Sequence, residues 1–314
     1  MISGSKLILL NLILLICVLN CSPYSLAKNK YSYRDKNAFE FYLKSVDYFF
    51  NGEYQQALES IAQAIDLNKS FAQFHKLKGD IHFNINEDEQ ALISYKNAVK
   101  YRSDFTEVYL TMGEIYKRNN NYEDAVMAYN KVLFSDQKQL DSYLELAKCY
   151  LALGNSTMSF VSLEEYKKVI NEFKRQPAPD YHFLLGKTYF ILKRYNDAIM
   201  ELQKIKEPLD EKVYCLLGRC YYGLEEYDTG LQYFNKLLNM NNDVGEYYYY
   251  RGIYFYNKND YEDAMTQFKL ALELDNSQRD AHYYLHKIYE SIGNKEEALK
   301  QYQLYNSDLP QTGE

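Results

Sequence analysis

Residues 113 to 125 read Gly113-Glu114-Ile115-Tyr116-Lys117-Arg118-Asn119-Asn120-Asn121-Tyr122-Glu123-Asp124-Ala125. A small residue is followed three places later by an aromatic one. A polar, asparagine-rich turn comes next, and then an aromatic residue, two acids and an alanine. The phrase returns around Gly252 and Phe255 as Asn259-Asp260-Tyr261-Glu262-Asp263-Ala264, and earlier as Gly52-Glu53-Tyr54-Gln55-Gln56-Ala57. Ala57, Ala91 and Ala125 are spaced by 34 residues, as are Ala264 and Ala298. Self-similarity at a fixed period marks a repeat architecture, in which each unit is a small motif that buries its apolar face only against its neighbours. The chain of 314 residues holds only 5 prolines and 13 glycines, too few turn formers for an all-β sandwich or barrel.

Aligned on this period, the chain resembles the tetratricopeptide repeat (TPR) family, whose unit is a helix–turn–helix of 34 residues. The match runs over roughly residues 38 to 312 as eight units. On the family's pattern the small eighth position reads Ser45, Gly79, Gly113, Ala147, Gly186, Gly218, Gly252 and His286. The twentieth reads Ala57, Ala91, Ala125, Ser159, Ala198, Gly230, Ala264 and Ala298, and the eleventh is aromatic or histidine, from Tyr48 and His82 to Phe255 and Tyr289. The resemblance implies an all-α fold, a right-handed superhelical solenoid of about eight such units. Small residues at the eighth and twentieth positions let two helices approach closely, and aromatic rings fill the space around the contact. The family's tryptophan-like fourth position is Phe41, His75, Tyr109, Tyr143, His182, Tyr214, Tyr248 and His282, in a sequence with 35 tyrosines and no tryptophan.

The spacing departs from the period twice. Ala147 and Gly186 are 39 apart, around Gln176-Pro177-Ala178-Pro179, where prolines stop a long second helix predicted from about Thr157 to Arg175. Gly186 and Gly218 are 32 apart, a trimming placed near Glu207-Pro208. Repeats 1–4 are therefore expected over residues 38–178 and repeats 5–8 over 179–314, with a joint at the prolines. His286 in the small position and Lys295 at the seventeenth mark the eighth unit as terminal, with its last helix ending near Leu309-Pro310.

The first residues read differently. Leu7 to Leu19 is an apolar run of 13 with one asparagine inside, preceded by Lys6, which suits the h-region of a signal peptide better than a membrane span. Two ends are open. Val18-Leu19-Asn20-Cys21 resembles a bacterial lipobox, giving a leader over 1–20 and a lipid on Cys21, with 21–37 as a tether. Ser25-Leu26-Ala27 is a small-x-small site, giving a leader over 1–27. Either reading expects an exported protein, periplasmic or anchored to a membrane of the bacterial envelope. Cys149, Cys215 and Cys220 are odd in number and lack CxxC spacing, so they form neither a disulfide framework nor a zinc site.

In TPR proteins the first helix of each unit lines a concave groove, through positions two, five, nine and twelve. Carried onto this chain, the resemblance implies an acidic stretch in repeats two to four, with Asp80, Glu107, Glu114, Asp141 and the adjacent Glu145. It implies an aromatic stretch in repeats five to eight, with Phe183, Phe190, Tyr222, Tyr249, Tyr250, Tyr256, Tyr283 and Tyr284. Such rings bring large contact area at low entropic cost, and the acids would select a basic partner. The competing reading is that the tyrosines pack between repeats. The family's two-carboxylate clamp needs a Lys, Asn and Arg set that no three successive repeats supply.

A net charge of −7 offers no electrostatic footprint for nucleic acid. His282 and His286 share a helix face but fall on packing positions, and no catalytic or cofactor motif is present. The sequence therefore reads as a non-catalytic protein-interaction scaffold of the cell envelope, holding one or more envelope proteins in its groove, without catalytic residues, cofactor or metal. The alternative is a cell-wall glycan or peptidoglycan binder that stacks sugars on the aromatic groove.

Overall fold

A computed structural model describes residues 33–206 and 208–307, in which there are sixteen α-helices and no strand. The signal peptide, Cys21 and the last seven residues lie outside the described residues. The helices alternate as first and second members of hairpins. These are α1 (Tyr33–Phe50) and α2 (Tyr54–Leu67), α3 (Ala72–Asn84) and α4 (Asp88–Tyr101), α5 (Thr106–Arg118) and α6 (Tyr122–Ser135), and α7 (Leu140–Ala152) and α8 (Ser156–Glu172). The series continues with α9 (Pro179–Ile191) and α10 (Tyr195–Leu202), α11 (Glu211–Gly223) and α12 (Tyr227–Met240), α13 (Gly245–Asn257) and α14 (Tyr261–Leu274), and α15 (Arg279–Ser291) and α16 (Lys295–Ser307). The fold is the expected all-α helical-repeat solenoid. By contacts the chain divides into two units, with the division between Val108 and Tyr109. The first has a core around Ala57, Ile61, Phe74 and Ile81, and the second has cores around Leu202, Leu217 and Cys220 and around Phe234, Phe268 and Leu285.

Every hairpin closes through the same turn. The fifteenth residue of each unit has a left-handed backbone: Gly52, Asn86, Asn120, Gly154, Lys193, Glu225, Asn259 and Gly293, with φ between 58° and 80°. The next N–H donates back to the carbonyl of the eleventh residue, as in Glu53 to Tyr48, Asn121 to Tyr116 and Asn294 to Tyr289, at 2.8–2.9 Å. This is the bond that ends a helix on a left-handed residue and satisfies an orphan carbonyl. Glycine and asparagine take that conformation readily; lysine and glutamate take it at a cost.

The eighth position is small because of what lies over it. A Cβ on Gly79 would meet the Tyr95 ring at 2.5 Å, on Gly218 the Phe234 ring at 2.8 Å, and on Gly252 the Phe268 ring at 2.6 Å. Each partner is the twenty-fourth residue of the same unit. From Ile61 to Phe268 these partners are at most 1% exposed. The eighth unit breaks the rule. His286 occupies the small place, its Nδ1–H donates to the Ala298 carbonyl at 3.0 Å, and Tyr302 is left 49% exposed. In the first unit Ser45 makes the equivalent bond to the Ala57 carbonyl at 2.8 Å.

The irregular fourth unit has the long second helix expected, Ser156–Glu172, and α9 starts on Pro179, where a missing N–H costs nothing. The proline segment is tied down: the Ala178 N–H donates to the Tyr166 hydroxyl at 2.7 Å, and Tyr166 stacks on Tyr181 at 5.0 Å. The fifth unit is trimmed in α10, which has 8 residues. No helix among the described residues is long and apolar enough to cross a membrane.

Candidate partner-binding surface

The aromatic residues divide into two groups within the second unit. Phe183 and Phe190 are half-buried on α9 and pack beside the core around Leu202 and Leu217. The six tyrosines form one connected array on α11, α13 and α15. Its backbone is a pair of stacks: Tyr250 lies flat on the buried Phe234 at 4.4 Å and 12°, and Tyr284 lies flat on the buried Phe268 at 5.1 Å and 10°. Tyr249 meets Tyr250 and Tyr284 edge-on, and Tyr256 meets Tyr284 edge-on at 5.1 Å. Edge-to-face and offset contacts of this kind each add roughly 0.5–1.5 kcal/mol beyond area burial.

Packing therefore claims part of the predicted aromatic surface. Tyr222 is 8% exposed and donates its hydroxyl to the Tyr250 carbonyl at 2.6 Å. Tyr250 and Tyr284 join one hairpin to the next by stacking on Phe234 and Phe268 of the preceding one, and Tyr222 does so through its hydroxyl bond to Tyr250. Burial pushes the phenols of Tyr222, Tyr249 and Tyr250 well above their ordinary range. Phe183, Phe190, Tyr249 and Tyr256 remain half-exposed, and Tyr283 is 40% exposed.

The acidic residues are also reassigned in part. Asp80 lies in the first unit, where it accepts from Lys76 at 2.7 Å and from the Tyr95 hydroxyl at 2.9 Å. Its charge is engaged within the fold. Glu145, in the second unit, is held between Lys117 and Lys148, and Lys148 also reaches Asp180 at 3.1 Å. Burial alone would push the Glu145 carboxyl up, but the hydrogen bonds from Lys117 and Lys148 outweigh it and hold the group below the usual carboxylate range. Glu107, Glu114 and Asp141 are exposed. The two most buried of the acids, Asp80 and Glu145, are thus neutralised locally.

The histidines and cysteines all serve packing. His75 lies against the Lys69 carbonyl at 2.7 Å, His182 against Glu201 at 2.9 Å and His282 against Gln301 at 2.6 Å. His282 and His286 thus point their nitrogens to different partners. Burial pushes the Cys149 thiol up to about 11 and those of Cys215 and Cys220 up to about 12, which leaves all three as weak nucleophiles at neutral pH.

Protein-family models agree with this geometry. Tetratricopeptide repeat models match residues 42–104, 211–244 and 254–293, and the model of anaphase-promoting complex subunit 3 matches residues 118–205. The chain is a tetratricopeptide repeat protein. Among solved structures it is similar to the C-terminal part of a TPR repeat-containing protein from Cytophaga hutchinsonii. That pair is 17% identical with a TM-score of 0.57, over 78% of this chain and 99% of that one. It is also similar to a tetratricopeptide repeat protein from Parabacteroides merdae, 16% identical with a TM-score of 0.52, over 81% of this chain and 99% of that one. At such identity the likeness is one of fold alone. No curated protein matches the chain.

One row of cations on this TPR face enters the sequence reading only through Lys148, which relieves the acidic stretch. The ninth position of repeats four, five, six and eight is Lys148, Lys187, Arg219 and Lys287.

Proposed function

We propose that the protein is an exported, non-catalytic scaffold of the bacterial cell envelope, which holds segments of partner proteins against the first-helix face of repeats 5–8. Tetratricopeptide repeats are a protein-interaction fold, whose stacked units build extended binding surfaces. The observation that carries the reading is the set of partly exposed rings, Phe183, Phe190, Tyr249, Tyr256 and Tyr283, displayed on the first helices α9, α13 and α15. Those helices are backed by buried rings, so a partner meets a surface ordered in advance and loses less entropy on binding. The sugar-stacking alternative is weakened because the flat faces of Tyr250 and Tyr284 are already covered by Phe234 and Phe268.

Export follows from the apolar leader of the sequence, and anchoring from Cys21, which would carry the lipid and leave the following residues as a tether. Metabolic labelling with a palmitate analogue tests this: incorporation lost in Cys21→Ser supports the anchor, and an unlabelled parent chain argues for cleavage after Ala27. The scaffold itself is tested by crosslinking in cells and affinity purification of the parent chain beside a Phe183→Ala, Tyr256→Ala, Tyr283→Ala variant of unchanged helicity. Envelope proteins captured by the parent and lost in the variant are the expected result. Equal capture by both places the binding surface elsewhere.

A further inference from the structure

Two cations on this face, one on α9 and one on α11, are left without an ion pair among the described residues. Phe183, Lys187 and Phe190 follow at i, i+4 and i+7 on α9, and Lys212, Cys215 and Arg219 at i, i+3 and i+7 on α11. Each set therefore shares one helix face. The Arg219 guanidinium carbon lies 4.8 Å from the centre of the Phe190 ring, which sets the two faces side by side. Lys187 and Lys212 are exposed and make no ion pair among the described residues.

Arg219 is paired within the fold, with Glu246 and the Tyr250 hydroxyl. Its nearest carboxylate, Glu246, is 3.6 Å away, and its Nε–H is buried without a hydrogen-bond partner. The neighbouring acids are engaged elsewhere: Asp180 with Lys148, Glu201 with His182 and Lys204, and Glu211 with the Tyr247 hydroxyl. Two unpaired lysines thus share these faces with two half-exposed phenylalanines, in a chain of net charge −7.

We propose that the α9–α11 face receives an acidic segment of a partner protein, with side-chain carboxylates on Lys187 and Lys212 and an apolar side chain against Phe183 and Phe190. This deepens the scaffold reading and rests on it. The acidic residues of repeats two to four lead the sequence to expect a basic partner; the unpaired lysines of α9 and α11 would receive the opposite one. Complementary charge of this kind steers encounter and fixes register, with contact area from the rings.

The test uses the purified chain and a fluorescein-labelled, C-terminally amidated peptide of alternating glutamate and leucine, read by fluorescence anisotropy beside its glutamine counterpart. The glutamate peptide is expected to bind, to weaken as salt rises, and to lose about tenfold or more in affinity when Lys187→Glu and Lys212→Glu are combined. Both lysines are exposed, so circular dichroism should be unchanged. Failure of the glutamate peptide to bind, equal affinity for the two peptides, or undiminished binding by the double variant overturns the proposal. Binding that appears only when the peptide ends in a free carboxylate overturns it as well. Any of these, with partner capture in cells intact, sinks the acidic-segment inference alone, whereas loss of capture would sink the scaffold reading.

Discussion

Residue by residue, the fold rests on a contact between a missing side chain and a ring. Gly252 leaves room for Phe268, and a Cβ there would sit 2.6 Å from the ring. Because Phe268 is fully buried and covered by Tyr284, it has nowhere to retreat. Gly252→Ala should therefore lower stability by about 1–3 kcal/mol, despite alanine's better helix propensity, and urea unfolding would show it. The turns give the opposite sign. Glu225 is held at φ 61°, and Glu225→Gly should raise stability by about 1 kcal/mol in the same assay. The glycine–ring pairs were legible in the sequence, since a small residue and a large one recur at fixed spacing. The strained turns at Lys193 and Glu225 were not, because neither residue type announces a left-handed backbone; only alignment to Gly52, Asn120 and Asn259 reveals it.

Among elements, what the sequence left open was where each ring of a helix goes. Tyr249 and Tyr250 are adjacent on α13, yet Tyr250 covers Phe234 of the preceding hairpin while Tyr249 meets Tyr284 of the next. Helical periodicity places two neighbours 100° apart but does not say which direction holds the preceding hairpin. The acids were misread for a related reason: Glu145 on α7 meets Lys117 on α5, a contact between helices that one helix's sequence cannot show. That ion pair makes a pH prediction. The Glu145 carboxyl is held below its ordinary value in the fold, so its contribution is present above the unfolded value and is lost as pH falls through the folded one. Glu145→Gln should cost about 1 kcal/mol at neutral pH and flatten the acid side of the stability profile. An unchanged profile in thermal melts across pH would show that the pair contributes nothing.

Across the molecule, two kinds of apolar surface compete as docking sites. The second helices expose Met127, Phe134 and Met200, with Phe134 at 89%. These side chains are separate from the rings of the first helices, which are backed by buried aromatics and flanked by Lys187 and Lys212. Order behind the surface and uncompensated charge beside it favour the first-helix face, since both add specificity that scattered methionines lack. The end units differ too. On α1 the third, seventh and tenth positions are the exposed Glu40, Lys44 and Asp47, where the unit beginning at α11 buries Val213, Leu217 and Cys220. A charged outer face of this kind closes an end of a helical stack against further packing. The first-helix face is therefore the surface on which the account stands.

The most direct test of that surface is site-specific photo-crosslinking in living cells, with a benzophenone amino acid placed at Phe183, at Tyr283 or at Met127. The account predicts discrete adducts from positions 183 and 283 and none from 127. Adducts from position 127 alone would contradict it and move the partner to the second-helix side.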